Sequence, residues 1–136
     1  MSQAPTMQPK TIATLHAAGA PGLALHEARL IGIDTPEVYG GAECFGREAS
    51  AYAERQLGGE RVSYTIGQGE RDRYGRALVY IWLADGRSFN ALLVSRGYAQ
   101  PLTVPPDDDY ADLFVRLSRR ARERGVGLWS ETSCYS

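Results

Sequence analysis

The segment Arg29-Leu30-Ile31-Gly32-Ile33-Asp34-Thr35-Pro36-Glu37 constrains the fold more than any other part of the chain. Its apolar centre reads as the end of a buried strand, yet an arginine opens it and two carboxylates close it. Packing alone does not require that arrangement, because charges beside a core are costly unless they are paired. Pro36 lacks the N–H that a sheet ladder needs, so the strand must stop at Asp34. Further along, Asp72-Arg73-Tyr74-Gly75-Arg76 has the composition of a tight turn and carries two more guanidiniums.

A chain of 136 residues accommodates one hydrophobic core. We expect an irregular segment over residues 1–9 and a single domain over 10–136. No apolar run approaches the length of a membrane span, and the polar start is unlike a signal peptide, so no membrane association is expected. A formal net charge of −1 argues against coating nucleic acid by bulk charge. Any such contact must come from local arginines. Lys10 is the one lysine, and 14 of the 15 basic residues are arginine. Base composition of the coding sequence explains that bias more simply than a preference for bidentate phosphate contacts. Small size and near-neutral charge make a monomer the default expectation.

Residues 11–16 read as a short strand, 17–22 as a turn, and Leu23 to Ile33 as one continuous second strand. Apolar spacing predicts a helix over 45–57, stopped by Gly58-Gly59. Strands follow over 61–66 and 76–83, with Ala84-Asp85-Gly86-Arg87 as a hairpin turn. A short helix runs through Asn90, Leu92, Leu93 and Val94 and is closed by Gly97. After an extended loop over 102–106, Asp107-Asp108-Asp109 is expected to cap a last helix. That helix buries Tyr110, Leu113, Phe114, Leu117 and Ala121. Its other face carries Arg116, Arg119, Arg120, Arg122 and Arg124, which Asp112 and Glu123 interleave, as on a solvated face. Trp82 and Trp129 read as core residues. The element order gives an α+β fold, an OB-type five-stranded barrel with a shortened first strand and three helices.

Phosphodiester hydrolysis needs cations against the charge of the phosphorane, a base to activate water, and help for the leaving oxygen. Arg29 and Arg76, based on strands, can grip phosphate oxygens bidentately. Asp34 offers a hard oxygen ligand and the Thr35 carbonyl a second. Glu37 is spaced to act as general base through a bound water. The same Asp-Thr-Pro-Glu string also reads as a plain turn or helix cap.

Cys44 and Cys134 lack the partners of a zinc site. They are either unrelated thiols or one bridge, and a free thiol in the polar tail would be exposed to no purpose. That favours a disulfide and an oxidising, extracytoplasmic or secreted setting. A loop of that length makes a bridge worth about 4–5 kcal/mol.

Arg29 to Glu37, Phe45-Gly46-Arg47-Glu48-Ala49-Ser50, Asp72 to Arg76, Asn90 with Leu92 to Val94, and Gly127-Leu128-Trp129-Ser130 occur in this order. Together they resemble the staphylococcal nuclease (thermonuclease) family over about residues 29–130. The resemblance implies an OB-fold barrel with three helices and calcium-dependent endonuclease cleavage of DNA and RNA to 3′-phosphate ends. By motif, Arg29 and Arg76 are its phosphate-stabilising arginines and Glu37 its base. Asp34 and Thr35 are calcium ligands, and Arg73 and Tyr74 contact a terminal phosphate of a bound nucleotide. Cys44 and Cys134 resemble the cysteines of members with one disulfide. Two departures stand out. Gln8-Pro9-Lys10-Thr11 occupies the place of an Asp-Gly-Asp-Thr calcium motif, and residues around Thr103 and Pro105 replace two tyrosines that stack on substrate. These departures imply weakened calcium binding. The rival reading is a nuclease-fold module that binds nucleic acid or a protein partner without cleaving it.

Overall fold

The apolar run ending at Asp34 does not continue as one strand. In the computed structural model, which describes residues 13–16, 23–24, 28–35, 46–57, 61–72 and 74–130, it is split by a turn at Ile31 and Gly32. Strand β3, Ala28–Leu30, lies on one side and β4, Ile33–Asp34, on the other. Gly32 sits at φ +83°, and a Cβ there would come within 2.5 Å of the Phe114 ring. Only glycine accepts both the left-handed backbone and that close approach. The sequence periodicity missed this break because Leu30, Ile31 and Ile33 all read as strand.

The chain runs through β1 (Ala13–His16), β2 (Leu23–Ala24), β3, β4, α1 (Gly46–Leu57), β5 (Arg61–Arg71) and β6 (Ala77–Trp82). It continues with α2 (Phe89–Ser95), β7 (Gln100–Pro101), α3 (Ala111–Arg124) and a 3₁₀ turn at Gly127–Trp129. Five strands form one mixed sheet in the order β2-β1-β5-β6-β3, and β4 pairs separately with β7. The β1–β2 and β3–β6 ladders are parallel, the others antiparallel. The two edge strands are nearly consecutive in sequence. The chain from Ala24 to Ala28 reaches at most about 14 Å, whereas a flat five-stranded sheet would hold its edges about 19 Å apart. The sheet is therefore curled. The ladders among the described residues leave it open, so the expected closed barrel is seen as a curled sheet with three helices.

Three helices stand where the spacing predicts them, with one change of cap. The residue before α3 is Tyr110, which makes no side-chain capping bond. Asp107, expected to cap this helix, is instead buried and accepts from the backbone N–H groups of Gln68 (2.6 Å) and Gly69 (3.2 and 3.4 Å). Strand β5 is bulged between Ile66 and Arg71, which frees those two amides from the β6 ladder. The turn at residues 84–87 folds the chain back as expected, closed by an antiparallel bridge between Trp82 and Ser88, and leads into α2, with Ser88 Oγ accepting from the Ala91 N–H.

The core gathers Ile31, Ile33, Val79, Ile81, Phe89, Leu93, Val94 and Phe114 between the sheet, α2 and α3. At its centre Asn90 is fully buried. Its Oδ1 accepts from the Ile81 N–H (3.0 Å), and its Nδ2 donates to the carbonyls of Ile31 (3.0 Å) and Val79 (3.3 Å). One side chain thus ties α2 to β6 and to the turn after β3. Trp82 is core, as expected, with its Nε1–H donating to Thr65 Oγ1 (3.4 Å), while Trp129 is half-buried with the Arg122 guanidinium 4.6 Å from its ring centre. Replacing Asn90 by Ala strands the Ile81 N–H and the Ile31 carbonyl in the core, at about 1–3 kcal/mol each. Urea denaturation of Asn90→Ala should show a loss of about 3 kcal/mol with the m-value unchanged.

Candidate phosphate-binding cleft

Parallel pairing of β3 with β6 sets Arg29 beside Leu78, and Arg76 precedes Leu78 by two residues. In extended chain alternate residues share a face, so both arginines emerge on the side of Leu78. There they line a cleft of about 650 Å³ with Arg71, Asp72, Tyr74, Leu102 and Val104. The turn between β5 and β6 forms one wall and the loop pinned by Asp107 the other.

Asp72 organises the first wall. Its Oδ1 accepts from the N–H groups of Tyr74 and Arg76, both at 2.9 Å, as in an Asx turn. Its Oδ2 takes the Nε–H of Arg76 at 2.8 Å. That pairing occupies the Nε of Arg76 and, among the described residues, leaves its two terminal nitrogens for a phosphate. Arg71 donates through Nη1 to the Gly75 carbonyl (2.6 Å) and so closes the same turn from outside. Tyr74 is 70 % exposed, with the Arg76 guanidinium 5.6 Å from its ring centre. Arg29 folds back over the turn after β3, its Nη1 donating to the carbonyls of Leu30 (3.1 Å) and Ile33 (3.0 Å).

The structure thus brings Arg29, Arg76 and Tyr74 together. Asp34 is exposed on β4 and pairs with Gln100; neither it nor Thr35 is among the lining residues of the cleft. Glu37, Arg73, Cys44, Cys134 and Lys10 lie outside the described residues, so the base, the disulfide and the atypical calcium motif are not located. Arg71, Asp72 and Asp107 were missed as site residues. The Asp-x-x-Gly spacing could have revealed Asp72 as the arginine's anchor. Nothing local marks Asp107, whose partners lie 38 and 39 positions away. On the loop, the residues presented to the cleft are Leu102, Val104, Pro105 and Pro106 rather than Thr103, and Leu102 and Val104 are exposed aliphatics.

Calcium takes six to eight oxygens. Among the described residues no three Asp, Glu, His or Cys side chains gather as a metal cluster. The carboxylates of Asp72 and Asp107 are already engaged with Arg76 and with backbone amides. Asp34 and the Thr35 carbonyl alone do not complete a calcium site.

Residues 27–131, more than half of the chain, match the model of the staphylococcal nuclease homologue family. The chain belongs to the staphylococcal nuclease family. It is 34 % identical over 104 residues to a thermonuclease of Staphylococcus intermedius, covering 74 % of this chain and 61 % of that one. A thermonuclease of Staphylococcus hyicus is 32 % identical over 105 residues, covering 75 % and 62 %. An endonuclease of Bacillus subtilis is 29 % identical over 123 residues, which is 82 % of this chain and 10 % of that one. The chain spans about three fifths of the length of the two thermonucleases it matches. The family match takes in the whole cleft, including the Asp72–Arg76 turn.

The Asp72 carboxyl is held below the ordinary carboxylate range. Its partial burial would raise it, but hydrogen bonds from Arg76 and the Tyr74 N–H and the charge of Arg76 outweigh that. A depressed carboxyl contributes stability that is complete above its unfolded value and is lost as pH falls through the folded value. The turn should therefore persist through mildly acidic pH and open only below the range in which free carboxylates titrate. Carbon-13 titration of the Asp72 carboxyl should show a midpoint below the ordinary range of a free aspartate, and Arg76→Gln should raise it.

Proposed function

We propose that this chain hydrolyses phosphodiester bonds within DNA and RNA, with little sequence preference, leaving 3′-phosphate ends. The observation that carries this reading is the placement of Arg29 and Arg76, distant in sequence, on one face of one cleft. Membership of the nuclease family and the names of its relatives support it. Both guanidiniums are held by protein acceptors before any substrate arrives. Preorganised charge of this kind stabilises the phosphorane without reorganising in the reaction step. Grip on the phosphate backbone carries no sequence information, which accounts for broad substrate choice. Glu37 would take the proton of the attacking water. Tyr74 and the aliphatic pair Leu102 and Val104 would flank the nucleotide, giving contact without the stacking of two aromatic rings.

Asp34 and the Thr35 carbonyl would hold a calcium ion, whose charge would offset that of the phosphate, with water, substrate oxygens and residues outside the described ones as its other ligands. That short set of described donors is what favours the second reading, a module that binds nucleic acid without turnover. Cys44 and Cys134 as one disulfide in an extracytoplasmic protein complete the proposal.

The test is digestion of single-stranded DNA and of RNA with calcium or with a chelator present. Calcium should support turnover, and Arg76→Ala and Glu37→Gln should each lower kcat about 10²–10³-fold, the usual loss for one group acting on developing charge. Equal digestion by the variants would refute the site. No turnover and no calcium binding at millimolar concentration would leave the binding module as the function.

A further inference from the structure

A second concavity, of about 840 Å³, shares no lining residue with the cleft. Arg55, Arg87, Arg96, Arg120 and Arg124 line it, with Asp85 the one carboxylate among the described lining residues and Tyr52 and Tyr98 in its wall. The ends of three helices meet there. Arg55 is in the last turn of α1, Arg96 follows α2 as its C-cap, and Arg124 is in the last turn of α3. The sequence suggested a solvated helix face for Arg120 and Arg124. The fold adds three arginines from other elements to that face.

The ordinary role of such residues is to offset the partial negative charge at helix C-termini, about half a unit for each helix. Among the described residues, three helix ends and Asp85 supply about two and a half negative units against five arginines, a surplus of more than two positive charges. Arg87 pairs with Asp85 (2.7 Å), and the Arg55 guanidinium stands 5.8 Å from the Tyr52 ring centre. Among the described residues no carboxylate lies within ion-pair distance of Arg96, Arg120 or Arg124, and all three are exposed. The surplus is felt inside the fold. Burial raises the Tyr52 hydroxyl above its ordinary value, and the charges of Arg96, Arg87 and Arg55 oppose that rise.

We propose that this groove is a second nucleic-acid contact, binding the phosphate backbone of a single strand whose scissile bond lies in the cleft. The proposal rests on the nuclease reading for its choice of polyanion. Guanidiniums match phosphate oxygens bidentately, and α3 supplies the path. Asp107, just before α3, walls the cleft, while Arg124 at its far end lines the groove. The helix between is about 20 Å long, and its exposed Arg116, Arg120 and Arg124 recur about every 6 Å along the axis. About six stacked nucleotides, at 3.4 Å each, span that distance. Short substrates fill the cleft alone, and longer ones reach the groove.

The experiment measures binding of a fluorescein-labelled 12-nucleotide single-stranded DNA by anisotropy, with chelator present, across a range of salt concentration. Arg96→Gln/Arg120→Gln should weaken binding at least tenfold at low salt and reduce the slope of log K against log salt by about 1.4, two contacts at 0.7 each. Hydrolysis of a thymidine dinucleotide should keep the parent's kcat and KM. Arg29→Gln/Arg76→Gln, changed only in the cleft, should retain the groove's share of the salt slope. Should Arg96→Gln/Arg120→Gln alter the melting temperature, Arg55→Gln/Arg124→Gln repeats the measurement. An unchanged salt slope and affinity in both groove variants overturns the proposal. So does tighter competition by poly-glutamate than by inorganic polyphosphate, which would assign the groove to an acidic protein. A parent that binds but never cleaves refutes the nuclease reading alone, and groove-dependent DNA binding would then still uphold this one.

Discussion

The Asn90 side chain has one acceptor oxygen and two N–H donors, and all are used inside the core, by Ile81, Ile31 and Val79. Water reaches none of them, so each bond lost leaves a buried polar group without compensation. The geometry matters as much as the energy. Ile31 lies two residues after Arg29, and Val79 three residues after Arg76. The β3–β6 ladder that places the two cleft arginines on one face is therefore braced by a buried amide that touches neither.

Two kinds of arginine are present, distinguished by what holds them. In the cleft, Arg29 and Arg71 each donate to backbone carbonyls and Arg76 to a carboxylate. Their positions are fixed in the free protein, as suits groups that must meet a charge as it develops. In the groove, Arg96, Arg120 and Arg124 have no carboxylate partner among the described residues. Such side chains retain their rotamer freedom until a polyanion arrives, and they supply attraction rather than alignment. The sequence shows the same residue type in both places, and only the acceptors around it separate the roles.

The helices, the Asp72–Arg76 turn and the burial of Trp82 were legible because each rests on spacing within a dozen residues. Asn90 was legible as part of a pattern but not as a hub, since its partners lie 9, 11 and 59 positions away. The break at Gly32 escaped because an apolar run with one glycine looks like a strand until Phe114 is placed against it. Asp107 was misassigned to a helix cap for a related reason. Three aspartates before a helix are a strong local signal, and the bulge in β5 that draws Asp107 away has no local signature. The groove was hidden for a different reason, because its five arginines come from four separate stretches of chain.

That bulge has a consequence for how the protein moves. The amides of Gln68 and Gly69 belong to a strand, yet their hydrogen-bond acceptor is a side chain of the loop at residues 102–107. Neighbouring amides of β5 are held by the ladder and exchange with solvent only when the sheet opens. These two exchange whenever the loop lifts off. Within a single strand, adjacent protons therefore keep separate clocks, one timing the opening of the cleft wall and the other the unfolding of the domain.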